Sequence, residues 1–161
     1  MSNTHPHVLV TGGAGYIGSH TVLALMEAGY KVVVVDDLST GHRALVPDAI
    51  PLIIGNAGDG DLIPGVIREY NVMGVMHFAG SIIIKESIVD PMKYYINNTE
   101  TSRRLIQSCQ INSVENFVFS STAAVYGDPA ETPVSKDTIL APINPYGMSK
   151  LMTEHMLMDM A

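Results

Sequence analysis

A chain of 161 residues, 47% of them hydrophobic, is long enough for one core and too short for two domains of ordinary size, and its composition excludes a disordered polymer. The formal charge is −7 and the nine Lys and Arg residues are scattered, so there is no basic footprint for nucleic acid. The single cysteine, Cys109, excludes an internal disulfide and a cysteine zinc cluster, and no apolar run is long enough to cross a membrane.

The opening MSNTHPHVLV lacks a basic start followed by a long apolar region, so no secretory signal is expected and the cytoplasm is the expected compartment. His5 and His7 alone among the histidines have ligand-like spacing, and no metal is assigned to them. HVLVT (His7 to Thr11) predicts a first strand. A helix from Tyr16 to Ala28, stopped by Gly29, follows a glycine-rich turn. KVVVVD (Lys31 to Asp36) and PLIIG (Pro51 to Gly55) predict the second and third strands. A helix over Asp61 to Tyr70 leads to a fourth strand, GVMHFA (Gly74 to Ala79). A long helix from Pro91 to Gln110, a fifth strand NFVFSS (Asn116 to Ser121) and a last helix from Pro145 to the end complete the pattern. Strands alternating with helices predict an α/β fold, a doubly wound parallel sheet in the order 3-2-1-4-5 with right-handed crossovers. Cys109 is expected in the core, and Met148, Met152, Met156 and Met160, spaced four apart, in core or subunit contact.

The stretch TGGAGYIG, Thr11 to Gly18, holds four glycines in eight residues. Alone the pattern is a flexible turn as readily as a binding loop. Its place between a strand and a helix points to a dinucleotide cradle: glycine lets backbone N–H groups approach a pyrophosphate at the helix N-terminus, and Gly18 permits close packing of helix on strand. Asp36 closes the second strand eighteen residues after Gly18, where a carboxylate can bind the ribose hydroxyls. Asp37 follows and no basic residue appears before Arg43, which favours NAD over NADP because a 2′-phosphate would meet two carboxylates. The sheet is therefore expected to be Rossmann-like.

NPYGMSK places Tyr146 and Lys150 four residues apart, on one face of the last helix. Ser120, Ser121 and Thr122 fall at the carboxyl end of the fifth strand, where open α/β sheets bind ligands. A phenol, with a reference pKa near 10, costs about 4 kcal/mol to ionise at neutral pH. An ammonium at about 4 Å returns roughly 1 kcal/mol in water and about 4 at an effective dielectric near 20, so burial decides whether such a pair works. The alternative is a pair of ordinary residues on an amphipathic helix.

Taken together, VTGGAGYIGSH, VVDDLSTGH, MHFAG, DPMKYYINNT, FVFSSTAAVYGDP and PINPYGMSKLMTE make the whole chain resemble the extended short-chain dehydrogenase/reductase family, on its epimerase side. The resemblance implies NAD bound by Gly12, Gly15, Tyr16, Ile17 and Gly18, and by Asp36 and Asp37. It further implies contributions from Asn56, Ala57, Phe78, Ala79, Gly80, Asn98, Ser120, Ser121, Tyr146 and Lys150. For Asn98 a plain polar helix residue is the equal alternative.

What the family's chemistry implies is hydride abstraction at C4 of a UDP-sugar and its return through a 4-keto intermediate, interconverting UDP-glucose and UDP-galactose. Tyr146 would exchange the proton, Lys150 support it and hold the nicotinamide ribose, and Thr122 bond the reacting oxygen. Related dehydratases carry Asp-Glu after the Thr, whereas Ala123 and Ala124 stand here. Two departures weaken the match: Asn56 stands where Asp is common, and Ile82 where many epimerases have Lys, with Lys85 three residues on. Family members run to about twice this length, so one domain, an incomplete NAD-binding half ending after the Tyr-x-x-x-Lys helix, is expected. Without its covering domain the Tyr146 and Lys150 pair is expected to be water-accessible and the chain alone nearly inactive. Self-association, as a homodimer or through an exposed fifth strand, is expected. A non-catalytic NAD-binding module is the alternative to an enzyme half.

Overall fold

A computed structural model describes residues 6–161, so His5 lies outside the described residues. The chain divides into two compact units. One comprises the residues up to Ala79 with Arg104–Ser120, the other Gly80–Arg103 with Ser121–Ala161. The strands are β1 (His7–Thr11), β2 (Lys31–Asp36), β3 (Leu52–Ile54), β4 (Val72–His77) and β5 (Asn116–Phe119). The helices are α1 (Tyr16–Glu27), α2 (Leu62–Glu69), α3 (Ile84–Val89), α4 (Pro91–Tyr94), α5 (Thr101–Ile111) and α6 (Pro145–Met160). Among the described residues no helix is long and apolar enough to cross a membrane.

The first unit is the predicted sheet, all parallel, in the order β3-β2-β1-β4-β5. Successive side chains of a strand point to opposite faces, so an uninterrupted valine run is stable only when both faces are covered. Val33 and Val35 of β2 pack on one face with Leu9, Val75, Ile63, Ile67, Leu105 and Cys109. Val32 and Val34 pack on the other with Val8, Val10, Val22, Val46 and Ile50. Cys109 is a core residue, as expected, and burial pushes its thiol up to about 12. The β1–β2 register sets Thr11 beside Val35. Gly12 N–H extends that ladder to Val35 O at 2.9 Å, which brings the glycine turn alongside Asp36.

Several boundaries differ from those predicted, for reasons of hydrogen bonding. Pro51 has no N–H, and it meets β2 through its carbonyl alone, which accepts Val34 N–H at 2.9 Å, so β3 begins at Leu52. β4 stops at His77 because Phe78 and Ala79 N–H both turn to Thr11 O, at 2.9 and 3.1 Å. β5 ends at Phe119, with one further bond from Ser120 N–H to His77 O.

In the second unit the predicted long helix begins as α4, capped by Asp90, whose Oδ1 accepts Lys93 N–H, with Pro91 in its first turn. It then widens into a π-helical segment, Tyr95–Glu100, before α5; α3 was not predicted. α6 starts where Asn144 Oδ1 accepts Gly147 N–H at 2.8 Å and Pro145 supplies a preset φ. Of the four methionines spaced four apart on α6, Met152 and Met160 are exposed and Met148 and Met156 are half-buried.

Candidate functional site

In the first unit each glycine of the TGGAGYIG turn has its own reason. Gly12 has φ +73°, and a Cβ there would lie 2.5 Å from Ala79 N. A Cβ on Gly13 would strike Val34 Cγ1 at 2.7 Å, and one on Gly18 would meet Gly12 O at 2.1 Å. Gly15 is different: the nearest atom to an added Cβ is Gly12 O at 3.3 Å. Gly12, Gly13 and Gly18 are required by protein atoms in direct overlap, whereas a Cβ on Gly15 would press on a single atom, the Gly12 carbonyl oxygen. Gly15 also caps α1 without any side-chain bond, and no acidic residue stands in the first turn. Tyr16 and Ile17 are 79% and 58% exposed, so the first turn is open to solvent. Such a helix end attracts an anion through its backbone N–H groups and dipole.

Asp36 is buried, and its carboxylate is held by two backbone donors: Ala14 N–H to Oδ2 at 2.9 Å and Leu38 N–H to Oδ1 at 2.8 Å. A carboxylate oxygen accepts more than one bond, so both retain capacity for ribose hydroxyls. Asp37 is exposed and accepts from Ser39 N–H and Oγ–H at 2.9 and 2.6 Å. Arg43 is spent within its own turn, on Val46 O and Asp48. Asn56 is exposed and its Oδ1 accepts Gly58 N–H at 2.7 Å, while Ala57 is buried. Phe78 and Ala79 form the backbone wall against which Gly12 packs.

In the second unit Tyr146 and Lys150 are 9% and 4% exposed. This corrects the expectation of a water-accessible pair. Burial alone pushes the Lys150 ammonium down to about 8. Tyr146 meets the edge of buried Tyr94, with ring centroids 6.3 Å apart and planes at 82°. The Tyr94 hydroxyl accepts Ile83 N–H at 2.9 Å and shares its proton between Ile83 O and Glu86 Oε2. Burial, with the Glu86 bond second, pushes Tyr94 up to about 12. Gly80 (φ +154°) approaches both polar groups: a Cβ would lie 2.9 Å from Asn98 Oδ1 and 3.7 Å from Lys150 Nζ.

Asn98 is buried, and its side chain makes three hydrogen bonds within the protein: Ser81 N–H donates to Oδ1 at 2.7 Å, and Nδ2 donates to Ser81 O and Ser149 Oγ, both at 3.0 Å. Thr122 caps the short 3-10 turn Ala123–Tyr126, its Oγ1 accepting Ala124 N–H at 3.1 Å. With that acceptor position filled, its hydroxyl proton is left to donate outward. Ser121 donates to Glu154 Oε1. Lys85 and Ile82 are exposed.

Three residues of this arrangement escaped the sequence reading. Tyr94 looked like one aromatic in YY. Glu154 stands four residues after Lys150, a spacing that was visible. Asn144, before Pro145, carries an N-cap signature and sets the first turn that bears Tyr146. Among the described residues no cluster of three or more His, Cys, Asp or Glu could hold a metal ion.

A parallel sheet in this order, a glycine turn opening a helix, and an anchored carboxylate on the next strand define a Rossmann-like dinucleotide-binding fold. The chain belongs to the NAD dependent epimerase/dehydratase family, whose model matches residues 8–161. It is 54% identical over 154 residues to a UDP-glucose 4-epimerase of Azospirillum brasilense, covering 96% of this chain and 44% of that one. It is 40% identical over 162 residues to a probable UDP-arabinose 4-epimerase of Arabidopsis thaliana, covering 95% and 39%. The crystal structure of UDP-glucose 4-epimerase from Brucella ovis in complex with NAD superposes with a TM-score of 0.93 at 42% identity, covering 96% of this chain and 47% of that chain. The chain thus spans about half the length of the relatives it matches. Its residues fit NAD: the solvent-open first turn of α1, without an acidic residue, suits a pyrophosphate, and the Asp36 carboxylate suits ribose hydroxyls.

Proposed function

We propose that this chain carries the NAD-binding half of a UDP-glucose 4-epimerase, acting on UDP-glucose and UDP-galactose at C4 through a 4-keto sugar. The observation that carries the reading is Lys150, buried one helical turn from buried Tyr146 on α6. NAD, when bound, supplies the reversible acceptor for the C4 hydride. Gly12, Gly15, Gly18 and the N–H groups of Tyr16 and Ile17 hold its pyrophosphate; Asp36 holds the adenosine ribose, with Asp37 beside it. Asn56, Ala57, Phe78, Ala79, Gly80, Ser120 and Ser121 complete the cofactor surface. Asn98 contributes by fixing the Gly80–Ser81 backbone.

Tyr146 takes the C4 hydroxyl proton at its phenolic oxygen and gives it back on the opposite course of the reaction. Before that transfer the Lys150 ammonium stabilises the negative charge on the phenolate oxygen, in surroundings where each interaction is worth several times its value in water. Thr122 donates to the reacting sugar oxygen. Ala123 and Ala124 offer no acid or base for eliminating water, which separates an epimerase from a dehydratase.

The same proposal includes homodimeric self-association, supported by the exposed apolar Ile88, Met92 and Ile96, a cytoplasmic setting and a place in galactose metabolism. The test is conversion of UDP-galactose to UDP-glucose by the protein supplied with NAD. Turnover that disappears in Tyr146→Phe is expected; equal turnover in that variant would contradict the reading. NAD binding with no turnover would instead support a non-catalytic binding module.

A further inference from the structure

We propose that Glu154 is a positioning residue of this site: through Ser121 it fixes the turn that carries Thr122 onto the face of α6 that holds Tyr146 and Lys150. The inference rests on the functional reading above for what is positioned, and on contacts within the second unit for how.

Residues four apart on a helix share a face, so Tyr146, Lys150 and Glu154 form one stripe along α6. The segment leaving β5 packs on that helix, and two of its contacts bear on the turn. At one, Ser121 Oγ donates to Glu154 Oε1. At the other, Gly147 packs under Ala124, where an added Cβ would lie 2.6 Å from Ala124 O. Thr122 lies between the two, its own side chain turned back to Ala124 N–H at 3.1 Å. Packing at Ala124 sets where the segment lies on α6, and the Ser121–Glu154 bond, about two helical turns further along, adds to the fixing of its orientation.

The Glu154 carboxylate is half-buried, as is Ser121, so the bond between them is shielded enough to exceed an ordinary surface contact. Its job needs an acceptor oxygen rather than a charge. That distinguishes it from a second acid for the reaction, and gives the Ser121 side chain the task of holding the turn beside its place on the cofactor surface.

The test compares Ser121→Ala, Glu154→Ala, Glu154→Gln and the Ser121→Ala/Glu154→Ala double variant. One readout needs no turnover: amide hydrogen exchange at Ala124. Each alanine variant is expected to speed Ala124 exchange by about tenfold, with the double no worse than either single. Glu154→Gln, which keeps the acceptor, is expected to behave as the parent. Additive singles, or a Gln variant as impaired as the Ala variant, would overturn the proposal. Calorimetric titration of the parent with NAD runs beside these arms. Failure there would remove the functional reading while leaving the contact test intact, and NAD binding with unaltered exchange in Ser121→Ala would remove this inference alone.

Discussion

The two units recognise in different ways. In the first, the backbone does the work: Gly12, Gly13 and Gly18 are dictated by atoms of the turn and sheet, and Asp36 is itself held by main-chain N–H groups. In the second, side chains hold side chains and loops: Asn98 on Ser81 and Ser149, Tyr94 on Ile83, Ser121 on Glu154. A backbone device tolerates little change at the residues that shape it and leaves its ligand surface bare. A side-chain device spreads its cost over many partners, and each removal is smaller.

The largest expected effect lies in the turn. Gly18→Ala puts a Cβ 2.1 Å from a backbone oxygen and should cost about 4 kcal/mol or more in denaturant unfolding. Gly15→Ala meets its nearest atom at 3.3 Å and should cost less than about 1 kcal/mol, yet abolish NAD binding. Equal stability losses at the two positions would break the distinction between glycines needed by the fold and the one left for a ligand.

Next comes Lys150. Its folded pKa, about 8, lies below the ordinary 10.5, so above pH 8 the unfolded chain binds more protons than the native one and stability rises with pH. The full contribution is about 3 kcal/mol, fully present only above the ordinary value and lost as pH falls through 8. Cys109, raised from 9.0 to about 12, opposes it above pH 9, and Tyr94, raised from 10.0 to about 12, above pH 10. The rise should therefore show between pH 8 and 9, and Lys150→Met should flatten it. A parent curve without that rise would mean that Lys150 is not desolvated.

Smaller losses belong to the side-chain bonds. Asn98→Leu strands Ser81 N–H and should cost about 2 kcal/mol by thermal or denaturant unfolding. Thr122→Val removes the cap on Ala124 N–H and should cost about 1 kcal/mol while reducing turnover further than stability explains.

The contrast also decides how much was legible beforehand. Strand order followed from the alternation of valine-rich runs with helical ones, and the cradle from glycine spacing plus Asp36, because a backbone device is written in consecutive residues. The π-helical segment and α3 were not legible, since their causes are contacts between distant residues, such as Asn98 with Ser149. Strand ends missed by one or two residues where Pro51 lacks a donor or where Phe78 and Ala79 turn to Thr11 O. Tyr146 and Lys150 were legible as a pair, but their burial was not, because it depends on Gly80, Tyr94 and the Thr122 turn, none of which is adjacent to them in sequence.

The most direct single measurement is calorimetric titration of the chain with NAD and, separately, NADP. The account predicts binding of NAD, with NADP weaker by about tenfold or more, because its extra phosphate meets Asp36 and Asp37 while Arg43 is engaged elsewhere. Binding of NADP as tight as NAD, or no binding of NAD at all, would contradict it.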